Sequence, residues 1–377
     1  MDLSGPAAAR IEQRAFGELS DGRKVSEYTL HAASGLVLRA INYGGIVTAL
    51  EVPDRNGRQA NVVLGLPTLR DYETRNPHMG TIVGRYANRI GDARFVLDGR
   101  AVNLEPNEGS HTLHGGPQGF GKRFWDIEPL PLAGDGSAAI ALRYTSADGE
   151  AGYPGMLQVQ VRYTLGPGPE WRIDYEACSD KTTVVNLSHH DYFNLRGHGD
   201  VMDHRLLIGA SRYCPVDAAL IPLGLAPVAG TPFDFRHGLR IGERIREAHE
   251  QLQRGRGYDH NFAVDAPRTP GARHFVARLA DSASGRAMDI HSTEPGLQFY
   301  SGNFLDASLV GSHGALLRQG DGLCLETQHF PDAPNRPEFA STRLAAGEVL
   351  KSSTAMRFST FGVDEDPFEK ILAETSQ

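Results

Sequence analysis

The chain has 377 residues, is 40% hydrophobic and 22% charged, and carries a net charge of -8 without any Lys/Arg-rich run. That length and apolar content fit a globular protein with a sizeable core, and the charge makes nucleic acid and anionic membrane surfaces poor partners. No run of 18 apolar residues exists to span a membrane, and the 43 glycines and 22 prolines mark a turn-rich rather than a low-complexity chain.

The start, MDLSGPAAARIEQRAFGEL, has no continuous apolar stretch, so no secretory signal is expected and the protein reads as cytoplasmic. Residues 1–15 are expected to be loosely ordered. Short alternating or β-branched runs follow, beginning with LVLRAINYGG and ALEVPDRNG, and DRNGR is a hairpin signal. TLRDYETRN is a candidate short helix, and ARFVLDGRAVNL is two strands about an Asp-Gly turn. QVQVRYTL alternates as a half-buried strand should, and EWRIDYEACS continues the pattern. GLRIGERIREAHEQLQRG (238–255) is the best helical candidate, with Ile241, Ile245 and Leu252 on one face. Strand-like runs resume at RHFVARLADSASGRAMDIHS, GLQFYSGNF and AMRFSTFGV. Cys178, Cys214 and Cys324 are odd in number and lack CxxC spacing, which predicts reduced thiols rather than a disulfide framework or a structural zinc. The expected fold is all-β: a large antiparallel β-sandwich in one domain over residues 1–377, with few short helices.

Polar side chains that look out of place cluster in six segments. In TVVNLSHHDYFNL (183–195), strand alternation puts His190 with Asn186, Ser188 and Tyr192, and His189 with Val185, Leu187 and Phe193. If one histidine lines a cleft, parity selects His190; His189 reads as structural, paired to Asp191. In GLCLETQHFPDAPN, Glu326 follows the apolar run Leu323-Cys324-Leu325, where burial would raise its pKa toward that of a general base; the plainer alternative is a buried ion-pair partner. His111 and His114 form HxxH in a Gly-rich loop, a weak zinc signal without a third ligand, so one loop histidine on a small polar ligand is the better reading. GTIVGRYANRIGDARF offers Asn88 and Arg89, GYDHNFAV offers Asp259, His260 and Asn261, and GLQFYSGNFL puts Gln298 and Tyr300 opposite Leu297 and Phe299. Together with Trp125, Tyr192 and Tyr300 as ring platforms, this is a set suited to a sugar: polar groups for vicinal hydroxyls and aromatic faces for C–H contact. GxSxG, Walker A and strand-linked GxGxxG motifs are missing.

The segments GRYANRI, LHGG, NLSHHDYFNL, YDHNF, GLQFYSGNF and LETQHFPDAPN, in this order, resemble the aldose 1-epimerase family over nearly the whole chain. The resemblance implies a β-sandwich of the mutarotase type, no cofactor and no metal. It implies that His190 is the catalytic acid and Glu326 the catalytic base, and that Asn88, Arg89, His114, Asp259 and Gln298 contact the sugar. The implied reaction interconverts the α and β anomers of D-galactose- and D-glucose-type aldoses by ring opening and closure. A small-molecule sugar is then the partner, and the protein is expected to act as a monomer or dimer. The family often reads Asn-His-Ser where this chain has His189-His190-Asp191, an added carboxylate that raises the His190 pKa if it reaches it and changes nothing if it pairs with His189. With reference pKa values of roughly 4.3 and 6.5, a carboxylate and an imidazolium are expected to straddle the working pH. A hexose 6-phosphate mutarotase, with Arg123 or Arg336 near C6, a non-catalytic sugar-binding module and a purely structural β-domain are the alternatives.

Overall fold

The computed structural model describes residues 9–265, 269, 271–369 and 371–372. Strands dominate, and all principal pairings are antiparallel. A nine-stranded sheet runs, in spatial order, Asp126–Pro129, Ala138–Ser146, Leu157–Leu165, Glu170–Ser179, Val349–Thr360, Arg286–Ser292, His274–Asp281, Arg205–Ile208 and Leu239–Arg240. A five-stranded meander is formed by Arg10–Glu18, Lys24–His31, Val37–Ile41, Val47–Pro53 and Gln59–Asn61. The loose order expected over 1–15 is not found from Arg10 on, where a strand in register with His31 begins; residues 1–8 lie outside the described residues.

The core follows from alternation. Val159, Val161 and Tyr163 point inward from the QVQVRYTL strand while Gln158 and Arg162 are exposed. These join Leu30, Leu38 and Leu50 of the meander and Trp171, Met288 and Phe299 in one cluster of buried side chains. Each fully buried Leu or Phe in such a cluster stabilises the fold by about 1.5–3 kcal/mol.

The helix expected within TLRDYETRN (68–76) is present as Leu69–Arg75, capped by Thr68, whose side chain accepts from Asp71 N–H. The long helix expected over 238–255 is instead two short ones, Ile241–Arg244 and Glu250–Gly255. His249 breaks it: its backbone is extended (φ -120°, ψ 131°) and its side chain accepts from Gln251 N–H as an N-cap. Ile241 and Leu252 are buried all the same, and Ile245 packs against the same core. Among the described residues no helix is long and apolar enough to cross a membrane.

A third sheet positions the site. Its strands run Ala226–Pro227, Arg212–Tyr213, Asp259–Ala263, Gly296–Tyr300 and Cys324–Gln328. Gln298 is in register with Glu326 on one side and with Asn261 on the other. Cross-strand partners share a face, so Asp259, Gln298, Tyr300 and Glu326 project together, while Leu297, Phe299 and Leu325 enter the core behind them.

Candidate active site

The 183–195 run is not one strand. It pairs as two short pieces, Thr183–Val184 and Ser188–His189, and lies along the Cys324–Gln328 strand through side chains. Asn186 Oδ1 accepts from His329 N–H (2.9 Å), Ser188 Oγ donates to Thr327 O (2.9 Å), and Phe193 and Leu323 exchange backbone bonds. This antiparallel alignment brings His190 abreast of Glu326: Nε2 lies 3.7 Å from Oε1, both side chains being buried. The parity reading of the two histidines holds. His189 points away, with Nδ1 2.7 Å from Asp191 Oδ2 and Nε2 2.7 Å from the Tyr163 hydroxyl. Asp191 thus pairs with His189 and not with His190.

A second loop system delivers the other face of the cavity. Asn88 and His114 both adopt left-handed backbone (φ 65° and 51°) and are bonded to each other: His114 N–H donates to Asn88 O (3.2 Å), and Asn88 N–H donates to His114 Nδ1 (3.1 Å). Gly115 makes this possible. At φ 85° its Cα faces the Gly84 carbonyl, where a Cβ would sit 2.0 Å from the oxygen. Arg89 Nε and Nη2 donate to both oxygens of Glu108 (2.6 and 2.9 Å), and its Nη1 is 3.9 Å from Asp259 Oδ2. Gln298 Nε2 donates to Asp259 Oδ1 (2.6 Å).

The resulting cleft, about 610 Å³ counted to its open mouth, is lined by all seven expected site residues: Asn88, Arg89, His114, His190, Asp259, Gln298 and Glu326. Tyr192 and Tyr300 supply ring surfaces, with Phe304 stacked on Tyr300 at the mouth. Trp125 does not: it is fully buried, donates to Phe120 O and packs on Tyr144. His111 lies outside the cleft, accepting from Asp92 N–H, and His260 and Asn261 are buried on Gln251 and Cys214. Glu108 and His78 also line it and carry no sequence-based expectation. Their signals were position alone: Glu108 precedes the HxxH loop, and His78 stands in a Pro-His-Met-Gly turn ahead of GRYANRI.

Burial sets the charge states. It pushes the His190 pKa down to about 3, assisted by His78, and raises Glu326 well above the carboxylate range, assisted by Asp259. The expected straddle of the working pH is therefore inverted in direction: burial favours the neutral form of each group. Burial also opposes the Arg89 charge, but Asp259 and Glu108 outweigh it and hold its pKa above the usual value. The Glu326 Oε2 and Gln298 Oε1 atoms are buried without a protein partner, as acceptors that await a ligand would be.

His114, His190 and Glu326 bring one ligand atom each within 4.8 Å of one another, the residue types of a metal site. The tautomer opposes a metal there. Because His114 Nδ1 accepts from Asn88 N–H, its proton sits on Nε2, which faces the cleft as a donor and has no lone pair for a metal. The same geometry suits a sugar oxygen.

The model of one protein family, Aldose 1-epimerase, matches residues 26–357 of this chain. The chain belongs to the aldose 1-epimerase family. It is 41% identical over 352 residues to the galactose mutarotase of Sus scrofa, covering 93% of this chain and 98% of that relative. It is 35% identical over 343 residues to the aldose 1-epimerase of Escherichia coli K12, covering 90% and 96%. Among solved structures it is similar to galactose 1-epimerase from Lactobacillus acidophilus NCFM, with a TM-score of 0.83 and 28% identity over 94% of this chain and 100% of that one. An aldose 1-epimerase is an isomerase, and the all-β sandwich is the fold that its structural relatives share.

Proposed function

We propose that this mutarotase interconverts the α and β anomers of D-galactose- and D-glucose-type aldoses, with Glu326 as general base and His190 as general acid. The observation that carries the assignment is the buried pair at 3.7 Å, set among polar atoms without protein partners and beside two tyrosine rings. Ring opening takes the proton from the C1 hydroxyl and delivers one to the ring oxygen. Glu326 receives the first, His190 Nε2–H gives the second, the C1–O5 bond breaks, and the aldehyde forms. Rotation about C1–C2 and closure with the roles reversed yield the other anomer.

The inverted pKa values are compatible with this. Glu326 and His190 together hold one proton, and moving it from carboxyl to imidazole leaves the count unchanged. Sugar hydroxyls that hydrogen-bond the carboxylate favour the ionised arrangement, which is the reactive one. Each such acid or base step typically contributes on the order of 10²–10⁴ in rate. Cys324 Sγ, 3.5 Å from His190 Nδ1, is kept as a thiol by burial and by Glu326, so it can donate to or accept from the ring as the proton moves.

Asn88, Arg89, His114, Asp259 and Gln298 are proposed to hold the sugar hydroxyls. The charge balance favours an unphosphorylated sugar. Arg89 is already engaged by Glu108 and approached by Asp259, while Arg123 and Arg336 pair with Glu150 and Asp332 and do not line the cleft. A cytoplasmic setting fits three unpaired cysteines, and the net charge of -8 favours neither nucleic acid nor membrane. The protein is proposed to act on free sugars as a monomer or dimer.

A substrate panel tests the reading. Wild type should accelerate optical relaxation of freshly dissolved α-D-galactose and α-D-glucose more than that of their 6-phosphates. Preference for a phosphorylated sugar would overturn it.

A further inference from the structure

His78 is a third histidine at the cleft, and the acid–base pair does not account for it. It stands in a turn with φ 66°, the left-handed region that costs a non-glycine residue energy unless its surroundings impose it. They do. Asn76 spans the turn, accepting from Met79 N–H (2.8 Å) and donating to Met79 O (3.2 Å). Thr81 donates to His78 O through both its backbone N–H (3.1 Å) and its hydroxyl (2.9 Å). The turn is also tied to the segment that carries the proposed acid: Tyr192 donates to Pro77 O (3.2 Å), Gly80 N–H to His190 O (2.9 Å), and His190 N–H to Thr81 O (3.0 Å).

This scaffold aims the imidazole into the cleft. Its ring lies edge-on to His114 at 4.8 Å between centroids and 5.7 Å from His190. His114 uses Nδ1 on Asn88, and His190 has Nδ1 beside Cys324. His78, half-buried and cleft-lining, has no hydrogen bond on either ring nitrogen among the described residues. Burial, with Lys122 nearby, pushes its pKa down to about 4, so the ring is neutral in ordinary buffers. A neutral imidazole offers one donor and one acceptor. That matches a hydroxyl, which is both, and mismatches an anion. A strained residue whose unpaired polar atoms face a binding cleft is placed to meet a ligand there.

We propose that His78 is a specificity residue: its imidazole binds one hydroxyl of the aldose, and with His114 and His190 it forms the wall that sets which sugars fit. The inference rests on the mutarotase reading and goes beyond the acid–base pair.

The test is initial-rate polarimetry on the full chain with His78→Phe and His78→Gln, using D-galactose and its 2-, 3-, 4- and 6-deoxy derivatives. Phe keeps the ring and removes both nitrogens; Gln restores a donor and an acceptor at similar reach. His78→Phe should raise KM for D-galactose about 3- to 10-fold, the range of one neutral hydrogen bond, with kcat unchanged. His78→Gln should recover most of that loss. For one deoxy sugar, wild type and His78→Phe should share the same KM, which identifies the hydroxyl. If His78→Phe fails to fold, His78→Asn replaces it, since Asn tolerates the left-handed backbone but is too short to reach. Unaltered KM for every sugar, or a fall in kcat with KM constant, overturns the inference while leaving the mutarotase reading in place. Wild type no faster than buffer on every sugar overturns both.

Discussion

Replacing Glu326 with glutamine removes a proton-binding site from the most buried carboxyl of the cleft and keeps its shape. Burial raises the Glu326 pKa, and the proposed charge state follows from it: the native pair of Glu326 and His190 retains one proton. The unfolded chain, in which Glu326 has the ordinary pKa of a solvated glutamate, roughly 4.3, does not hold that proton. A carboxyl whose folded pKa is raised adds stability that is present below the unfolded value and lost as pH rises toward the folded one. Over that window the wild-type folding equilibrium constant should fall relative to Glu326→Gln by up to about tenfold per pH unit, the slope for one proton. His190, whose pKa is depressed, has the opposite sign below its unfolded value of 6.5, but it is present in both proteins and largely cancels in the comparison. Urea unfolding followed by Trp125 and Trp171 fluorescence reads the difference, since both indoles are fully buried when folded. At pH 5.5 to 8 the two stability curves should diverge, with the glutamine variant the more stable at the upper end. Parallel curves would show that the pair retains no extra proton and would refute the proposed charge state.

Other consequences are as direct. His189→Ala leaves Asp191 buried beside a vacated imidazole, so thermal unfolding should show a loss of about 3–5 kcal/mol while the folded fraction keeps near-wild-type kcat. A severe loss of kcat with folding intact would mean that parity selected the wrong histidine. Gly115→Ala forces a Cβ against the Gly84 carbonyl and should destabilise by about 1–3 kcal/mol and raise KM by displacing His114, checked by melting and polarimetry. Prolonged EDTA treatment should leave the rate unchanged, because His114 presents N–H to the cleft; a loss restored by a divalent ion would contradict the tautomer.

What could be read in advance was what depends on alternation. Glu326 and Gln298 sit on paired strands and His190 directly follows one, so parity separates a polar face from an apolar one, and the faces are as expected. The helix over 238–255 was misread because its apolar spacing survives the break at His249, which depends on a side-chain cap rather than on periodicity. Trp125 was assigned to the cleft on residue type, yet whether an aromatic ring lines a cavity or fills the core is decided by packing against Phe120 and Tyr144. His78 was missed since nothing local distinguishes a turn histidine that faces solvent from one that faces a cleft. The protonation of Glu326 and His190 was illegible for the same reason: their shifts come from burial by elements distant in sequence, and reference pKa values contain none of it.

The most direct measurement is polarimetry of freshly dissolved α-D-galactose with wild type, Glu326→Gln and His190→Ala at equal concentration, each checked for folding. The account predicts fast relaxation by wild type and a loss on the order of 10²–10⁴ in kcat for each variant. Near-wild-type rates in either folded variant would contradict the pairing of Glu326 and His190 as base and acid.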